Sequence, residues 1–124
     1  MDAHDPQAVL ILASASPRRR DLLRLAGIPF RARSADVEER PGREEDAAGF
    51  TRRVAGLKAA AIAARVPAGT WVLGADTTVE IDGIILGKPA GAADAARMLR
   101  MLSGRTHQVR TAVILHRAPD AEGA

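Results

Sequence analysis

A run of three arginines, Arg18–Arg20, is the part of this sequence where residue type and position most clearly indicate chemistry. The run follows Ser16 and Pro17, which are typical of a helix N-cap and of the first helical position. Cations at that end of a helix are repelled by its dipole, and each costs about 0.3–1 kcal/mol unless an anion compensates for it. A bound phosphate would compensate, and the hydroxyl of Ser14 would add a donor to the same loop. The pattern favours a phosphate site, with a solvated run of charges as the alternative.

Asp76 is the second candidate, because it follows an apolar run at 71–75. Such a run is typical of a buried strand, and ligands of open α/β sheets gather beyond the carboxyl ends of the strands. A carboxylate in that place can hold a divalent metal or act as a general base toward water. The residues alone leave a second interpretation open, in which Asp76 only forms a turn.

Lysine is rare in this chain, which contains only Lys58 and Lys88. Lys58 lies beside Leu57, next to the apolar stripe of a predicted helix, and Lys88 lies between Gly87 and Pro89 after a predicted hairpin. Either ammonium group can point at a phosphate as a compact charge. A solvated position on the surface is the ordinary alternative for an isolated lysine.

The composition limits the class of protein. A chain of 124 residues with 47% hydrophobic and 27% charged side chains is typical of one globular domain. The absence of cysteine excludes disulfides, cysteine-ligated zinc and thiol catalysis, and it fits a reducing compartment. The net charge is only +3, although 16 of the 18 cations are arginine. Arginine suits anionic ligands, while coding bias is the alternative explanation of the total.

Two classes of partner are also excluded. Two Phe, one Trp and no Tyr leave too few aromatic side chains to stack nucleic-acid bases. The longest apolar stretch, 59–64, is far shorter than the roughly 20 residues that span a bilayer. The N-terminus is acidic and polar, unlike a secretory signal. We therefore expect a soluble, cytoplasmic domain that binds neither nucleic acid nor membrane.

Hydrophobic patterning predicts alternating strands and helices, which indicates an α/β fold with a layered mixed sheet and flanking helices. The predicted strands cover 9–13, 28–34, 70–75, 77–81, 84–86 and about 107–115, and the predicted helices cover 17–25, about 44–65 and 91–102. Asp82 and Gly83 predict a type I′ turn, because that turn needs a positive φ at both positions. Leu22 and Leu99 are expected on the buried faces of the first and third helices.

Five blocks of sequence carry a resemblance to a known family. They are Leu12-Ala13-Ser14-Ala15-Ser16-Pro17-Arg18-Arg19, Leu57-Lys58-Ala59, Leu73-Gly74-Ala75-Asp76-Thr77-Thr78-Val79, Leu86-Gly87-Lys88-Pro89, and Met98-Leu99 with Leu102-Ser103-Gly104-Arg105-Thr106-His107-Gln108-Val109. In order and spacing they resemble the Maf family, whose members are nucleoside triphosphate pyrophosphatases also known as septum formation inhibitors. The resemblance covers about Val9–Val113 and implies a Maf/ITPase-like fold.

The resemblance also implies an activity and a set of site residues. The activity is hydrolysis between the α- and β-phosphates, which gives a nucleoside monophosphate and pyrophosphate, with Mg²⁺ or Mn²⁺ as cofactor. Asp76 matches the catalytic proton acceptor and, with Glu39, the metal ligands. The positions that match substrate binding are Ser14, Arg18, Arg19, Lys58 and Lys88. Arg18 and Thr77 match the subgroup that acts on dTTP and UTP, whereas the subgroup that acts on 7-methyl-GTP has Trp and Gln there.

The family pattern departs from this chain after the Ser103–His107 block. Maf proteins continue into a second part with a Lys-Ala-Gly…Tyr-Gly-Ile-Gln-Gly segment. We therefore expect a disordered leader at 1–8, a Maf-like domain at 9–116 that is incomplete at its C-terminal side, and a polar tail at 117–124. The sequence is compatible with two functions: a pyrophosphatase acting on dTTP and UTP, and a catalytically impaired remnant that binds nucleotides. The resemblance leaves a homodimer open.

Overall fold

The structure, a computed structural model, describes residues 10–119. Within that range the chain forms β1 (Leu10–Ala13), α1 (Pro17–Leu25), β2 (Arg31–Ala32), α2 (Ala47–Ala63), β3 (Trp71–Ile81), β4 (Ile84–Leu86), α3 (Ala92–Leu102) and β5 (Gln108–Arg117). The five strands form one mixed sheet, so the predicted α/β class is confirmed. The predicted leader and residues 120–124 of the predicted tail lie outside the described residues.

The central strand, β3, organises the sheet. One of its edges pairs with antiparallel β5 over residues 71–80. The other edge is shared, because parallel β1 pairs with residues 71–74 and antiparallel β4 pairs with residues 79–81. Residues 75–78 of this second edge therefore lie beside neither β1 nor β4. This interval is a gap in the sheet edge, and β2 extends the sheet beyond β1.

The predicted break of the strand at Asp76 is wrong. β3 continues through Asp76 to Ile81, because β5 supplies an unbroken ladder of partners that includes Asp76↔Ala112. The carboxylate nevertheless lies beyond the end of β1, which stops opposite Gly74. The tight turn after β3 is confirmed, since Asp82 and Gly83 have φ of 51° and 77°.

The core lies between the sheet and α2. A cluster of small and branched side chains fills this layer: Ile11, Ala13, Ala59, Ile62, Ala63, Val72 and Ala118. The approach of helix to strand is closest at Gly74, where an added Cβ would lie 2.3 Å from the carbonyl oxygen of Ala55. Only glycine permits that distance, so Gly74 sets the depth at which α2 sits on the sheet.

α2 begins at Ala47 rather than at the predicted Glu44. Asp46 is the N-cap, and its carboxylate accepts a hydrogen bond from the backbone N–H of Gly49 at 2.8 Å. Glu45 lies before the N-cap residue. Its carboxylate binds Arg53 and the backbone N–H of Gly42 rather than the N-terminus of α2. The first turn of the helix accordingly contains no acidic residue.

The predicted buried faces of α1 and α3 are wrong, because neither helix has a buried residue. Leu22 is 58% exposed and Leu99 is 67% exposed. The sheet face opposite α2 is also open at β5, where Val113 and Leu115 are exposed. Apolar periodicity identifies which side of a helix is apolar, but burial needs a second surface to pack against.

The strand ends also differ from prediction. β2 is limited to two residues, and β5 runs two residues past the predicted end at Leu115. After β5, Ala118 is buried and exchanges backbone hydrogen bonds with Thr70 and Gly69. No helix within residues 10–119 is long and apolar enough to cross a membrane.

Candidate active site

An ion pair across the layer between α2 and β3 forms the centre of the candidate site. The ammonium of Lys58, on α2, lies 3.3 Å from a carboxylate oxygen of Asp76 on β3 and donates a hydrogen bond to it. The two side chains are 13% and 10% exposed. The same ammonium lies 3.6 Å from Glu39 in the loop before α2. One cation thus holds two carboxylates at the gap in the sheet edge.

The loop after β1 forms the opposite wall of the site. Ser14 is buried, and its Oγ accepts a hydrogen bond from the backbone N–H of Ser16 at 3.1 Å. Ser16 is the N-cap of α1, whose Oγ accepts from the backbone N–H of Arg19 at 3.3 Å, and Pro17 occupies the first turn. The predicted strand, loop and capped helix are therefore confirmed. The N-terminus of α1 places the positive end of the helix dipole beside β3, the strand that carries Asp76.

Arg19 joins α1 to the unpaired interval of β3. One guanidinium nitrogen, Nη1, donates to the carbonyl of Ala75 at 3.4 Å and to Oγ of Ser14 at 3.5 Å. The other, Nη2, donates to Oγ1 of Thr77 at 2.9 Å. In turn Thr77 shares a hydrogen bond of 2.9 Å with Thr111, its register partner on β5. Arg19 therefore binds one backbone carbonyl and one side chain of β3 within the gap.

These groups line a single cleft of about 1000 Å³. Among the predicted site residues it includes Ser14, Arg19, Glu39, Lys58, Asp76, Thr77 and Lys88. Lys88 reaches it from the segment after β4 and is exposed. Arg18 is not among the lining residues, and its side chain is exposed on α1.

Residues 9–124 match the family described as Maf-like protein. The chain belongs to the Maf-like family. The resemblance predicted from the five sequence blocks is thereby confirmed.

Curated Maf-like relatives match the chain closely over part of their own length. A dTTP/UTP pyrophosphatase of Myxococcus xanthus is 50% identical over 109 residues, which are 88% of this chain and 55% of that protein. The dTTP/UTP pyrophosphatase of Koribacter versatilis is 54% identical over 106 residues, or 86% of this chain and 54% of that protein. The dTTP/UTP pyrophosphatase of Symbiobacterium thermophilum is 50% identical over 111 residues, or 90% of this chain and 57% of that protein. The chain spans about half the length of these relatives.

Sequence reasoning missed two hydroxyl groups of this Maf-like site, one that binds Thr77 and one that lines the cleft. Thr111 was not singled out, although the register of two adjacent strands places it opposite Thr77. Thr78 lines the cleft two residues after Asp76, is 3% exposed, and its Oγ1 has no hydrogen-bond partner within the described residues. The alternation of side chains along a strand could have indicated Thr78, since i and i+2 share a face. No signal in the sequence alone fixes the register that brings Thr111 to Thr77.

The acidic side chains of the cleft suit a divalent cation. Asp36, Glu39 and Asp76 line it, and carboxylate oxygens are the ligands that Mg²⁺ and Mn²⁺ prefer. Within residues 10–119 no three such side chains are close enough to hold a metal by themselves. A site of one or two carboxylates still fits Mg²⁺, because that ion usually takes its remaining ligands from substrate phosphates and water.

A second ionic group holds the loop that carries Glu39. Arg53, on α2, donates to both carboxylate oxygens of Glu45, at 2.7 and 3.0 Å, and to the carbonyl of Arg40 at 2.9 Å. The hydrogen bonds from Arg53 and from the backbone N–H of Gly42 lower the pKa of Glu45 to about 2. Glu45 therefore stays ionised at neutral pH, and the loop remains tied to α2.

Proposed function

We propose that this chain carries a nucleoside triphosphate pyrophosphatase site that acts on dTTP and UTP. The products would be the nucleoside monophosphate and pyrophosphate. The observation that carries the proposal is the pair of Lys58 and Asp76 in a cleft of about 1000 Å³, within a family whose matched relatives are named dTTP/UTP pyrophosphatases. A carboxylate that faces a cleft lined by cationic side chains can accept a proton from a water molecule beside a bound phosphate.

The triphosphate would lie along the gap in the sheet edge. The N-terminus of α1 offers a positive dipole end to phosphate oxygens, and Ser14 adds a hydroxyl. Arg19, Lys58 and Lys88 line the same cleft and bring positive charge to it. Arg18 lies on the adjacent exposed surface of α1, where a side chain of its length can turn toward a bound nucleotide.

Glu39 and Asp76 would hold the Mg²⁺ or Mn²⁺ ion. Both carboxylates contact one ammonium, that of Lys58, so this site already balances their charge with a cation. When bound there, the metal would supply Lewis-acid chemistry by neutralising phosphate charge and acidifying a water molecule. Lys58 would then turn from the carboxylates toward the phosphates, which keeps the local charge balanced.

Asp76 would act as the general base. Its carboxylate accepts the proton of the attacking water, whose oxygen bonds to a phosphorus of the α–β anhydride. When the α-phosphorus is attacked, its bond to the bridging oxygen breaks, and the electron pair leaves on that oxygen with pyrophosphate. Arg19 and Lys88 would stabilise the negative charge that grows on the leaving group. The polypeptide thereby contributes base, orientation and charge compensation.

Base selection would involve Arg18 and Thr77. Thr77 is exposed on the face of β3 away from α2, and it is fixed by hydrogen bonds to Arg19 and Thr111. A fixed hydroxyl can read the polar edge of a pyrimidine, because a partner that lacks the matching group leaves it unpaired. Both residues agree with the subgroup that acts on dTTP and UTP.

Nucleotide binding without turnover is the second candidate function. The observation that favours it is the open sheet face beside Thr77 and Thr111, where Val109 and Val113 are about 60% exposed. A cleft with one open side admits water and weakens the charge interactions on which catalysis depends. A triphosphate could still bind at the α1 terminus of such a site.

Pyrophosphate release from dTTP and UTP with Mg²⁺ distinguishes the two candidates. It is measured beside a thermal shift of the same protein with the same nucleotides, and ATP serves as the control nucleotide. Release from dTTP and UTP, and much less from ATP, supports the pyrophosphatase. A thermal shift without release supports the binding function. The absence of both pyrophosphate release and a thermal shift would contradict both candidate functions.

The cellular location follows from the same proposal. A chain without cysteine needs no oxidising compartment, and free nucleoside triphosphates are cytoplasmic substrates. We place the protein in the cytoplasm on these grounds. Fractionation of cells that produce a tagged chain would test the location.

A further inference from the structure

The loop at 33–46 brings two carboxylates to the cleft, those of Asp36 and Glu39, without a strand or helix of its own. Glu39 is 41% exposed, and its distance of 3.6 Å to Lys58 is that of a long ion pair. An exposed pair of this kind contributes little toward holding a loop in one conformation. Fixing each loop residue costs about 1–2 kcal/mol of conformational entropy, so other contacts must hold Glu39 in place.

Arg53 supplies such contacts. Its guanidinium binds both oxygens of Glu45 and also the carbonyl of Arg40, the residue that directly follows Glu39. The carboxylate of Glu45 in turn accepts the backbone N–H of Gly42 at 2.9 Å. Three points of the loop, at residues 40, 42 and 45, are therefore joined to one side chain of α2.

The same helix carries the other half of the site. Lys58, five residues after Arg53 on α2, contacts the carboxylates of Glu39 and Asp76. Arg53 also lies over the ring of Phe50, with 5.7 Å between the guanidinium carbon and the ring centroid, and Phe50 lines the cleft. Bidentate arginine–carboxylate pairs are strong and directional, and lysine cannot reproduce them. The contacts made by Arg53 thus fix the loop relative to Lys58.

We propose that Arg53 and Glu45 are positioning residues that hold Glu39 beside Asp76 for binding of the divalent metal. The inference rests on the proposed function, because it assigns the loop to that reaction's metal. Arg53 touches neither Asp76 nor Lys58; it acts through the backbone of residues 40–45. Its loss would therefore weaken metal binding more than nucleotide binding.

Manganese binding tests the proposal without relying on turnover. Free Mn²⁺ is followed by its electron paramagnetic resonance signal, with a UTP analogue whose α–β bridging oxygen is a methylene group. Arg53→Ala and Arg53→Lys are expected to weaken Mn²⁺ binding in this complex about tenfold, the lower end for loss of a group that orients a metal ligand. Affinity for the analogue without metal should change less than twofold. The exposed neighbour Arg52 gives the matched control, since Arg52→Ala should leave both affinities unchanged.

Amide hydrogen exchange tests the positioning step itself. Residues 40–45 should exchange faster in Arg53→Lys and in Glu45→Gln, while α2 keeps its protection. These two conservative variants also decide the matter if Arg53→Ala fails to fold.

Two results would overturn the inference. Variants that fold and bind Mn²⁺ like the wild type would show that the contacts of Arg53 with Glu45 and Arg40 do not serve metal binding. Weakened Mn²⁺ binding with unchanged exchange at 40–45 would show that loop position is not the cause. Failure of the wild type to bind Mn²⁺ with the analogue would instead contradict the proposed function on which the inference depends.

Discussion

Asp76 and Thr77 are consecutive residues on β3, and their side chains lie on opposite faces of the sheet. The two faces differ in their exposure to water. Asp76 faces α2, is 10% exposed and pairs with a lysine that is 13% exposed. Thr77 faces away from α2, is exposed, and joins a hydrogen-bond network with Arg19 and Thr111. Because side chains alternate along a strand, one position in the sheet edge presents both environments to the same cleft.

In the proposed function, this difference separates chemistry from recognition. Charge interactions are strong where water is excluded, so a base and a metal are best placed on the face that α2 covers. Hydroxyl groups on a wet face keep hydrogen-bonding capacity at little cost and can read a substrate. Gly74 is the residue that permits the close helix, and it lies on the same face as Asp76.

The largest effect is expected from Gly74→Ala, which removes the close contact between α2 and β3. The new Cβ would lie 2.3 Å from the carbonyl oxygen of Ala55, so helix or strand must shift. We expect a loss of about 3 kcal/mol in the free energy of unfolding, at the upper end for overpacking. Urea denaturation measures it. Gly56→Ala is the control: it meets nothing within 4 Å, and it should be neutral or stabilising by up to about 1 kcal/mol.

Replacing the cation of each face compares the two environments directly. Lys58→Met leaves Asp76 and Glu39 without their shared partner on the covered face. We expect the free energy of unfolding, measured by urea denaturation, to fall by about 2 kcal/mol. Arg19→Met removes hydrogen bonds on the exposed face, where water replaces them, and should cost about 1 kcal/mol or less. Adding Asp76→Asn to Lys58→Met should restore part of the lost stability. Equal losses from the two single variants would contradict the contrast between the faces.

A double-mutant cycle on Thr77 and Thr111 sharpens the description of the exposed face. Their cross-strand hydrogen bond of 2.9 Å should give a coupling of about 0.5 kcal/mol between Thr77→Val and Thr111→Val. Additive losses of stability on urea unfolding would mean that the two hydroxyl groups do not interact. The same variants should lose preference for UTP and dTTP over ATP in nucleotide titrations.

The smallest effect is a pH dependence of stability from Glu45. Its pKa is lowered from 4.5 to about 2, chiefly by its hydrogen bonds with Arg53. A lowered carboxyl pKa stabilises the fold above pH 4.5, and this stabilisation is lost as the pH falls toward 2. The stability difference between wild type and Glu45→Gln should therefore shrink across that range. A constant difference on urea unfolding would mean that Glu45 does not titrate with folding.

Local signals in the sequence account for much of the fold. Ser16 with Pro17 predicted the start of α1, and Asp82 with Gly83 predicted the turn, because these signals depend on neighbouring backbone geometry. The burial of α1 and α3 was predicted wrongly, since periodicity does not reveal whether a partner surface exists. The start of α2 was missed because Glu45 binds Arg53 instead of the helix terminus.

The site was predicted through its charges rather than its shape. Asp76 stood out because a charged residue beside an apolar run needs a reason, and Lys58 and Lys88 stood out because they are the only lysines of the sequence. The gap at 75–78 could not be predicted, because it arises from the combined register of β1 and β4 along one edge of β3. The pairing of β5 with β3 brings Thr111 to Thr77, and the packing of α2 on β3 brings Lys58 to Asp76.

Turnover by Asp76→Asn tests the central claim most directly. The substitution keeps the shape of the side chain but removes the basic oxygen, so UTP should still bind in a titration. Pyrophosphate release from UTP with Mg²⁺ should fall by about 10²–10⁴-fold, the usual contribution of a general base. Release by Asp76→Asn at a rate near that of the wild type would contradict the assignment of Asp76 as the base.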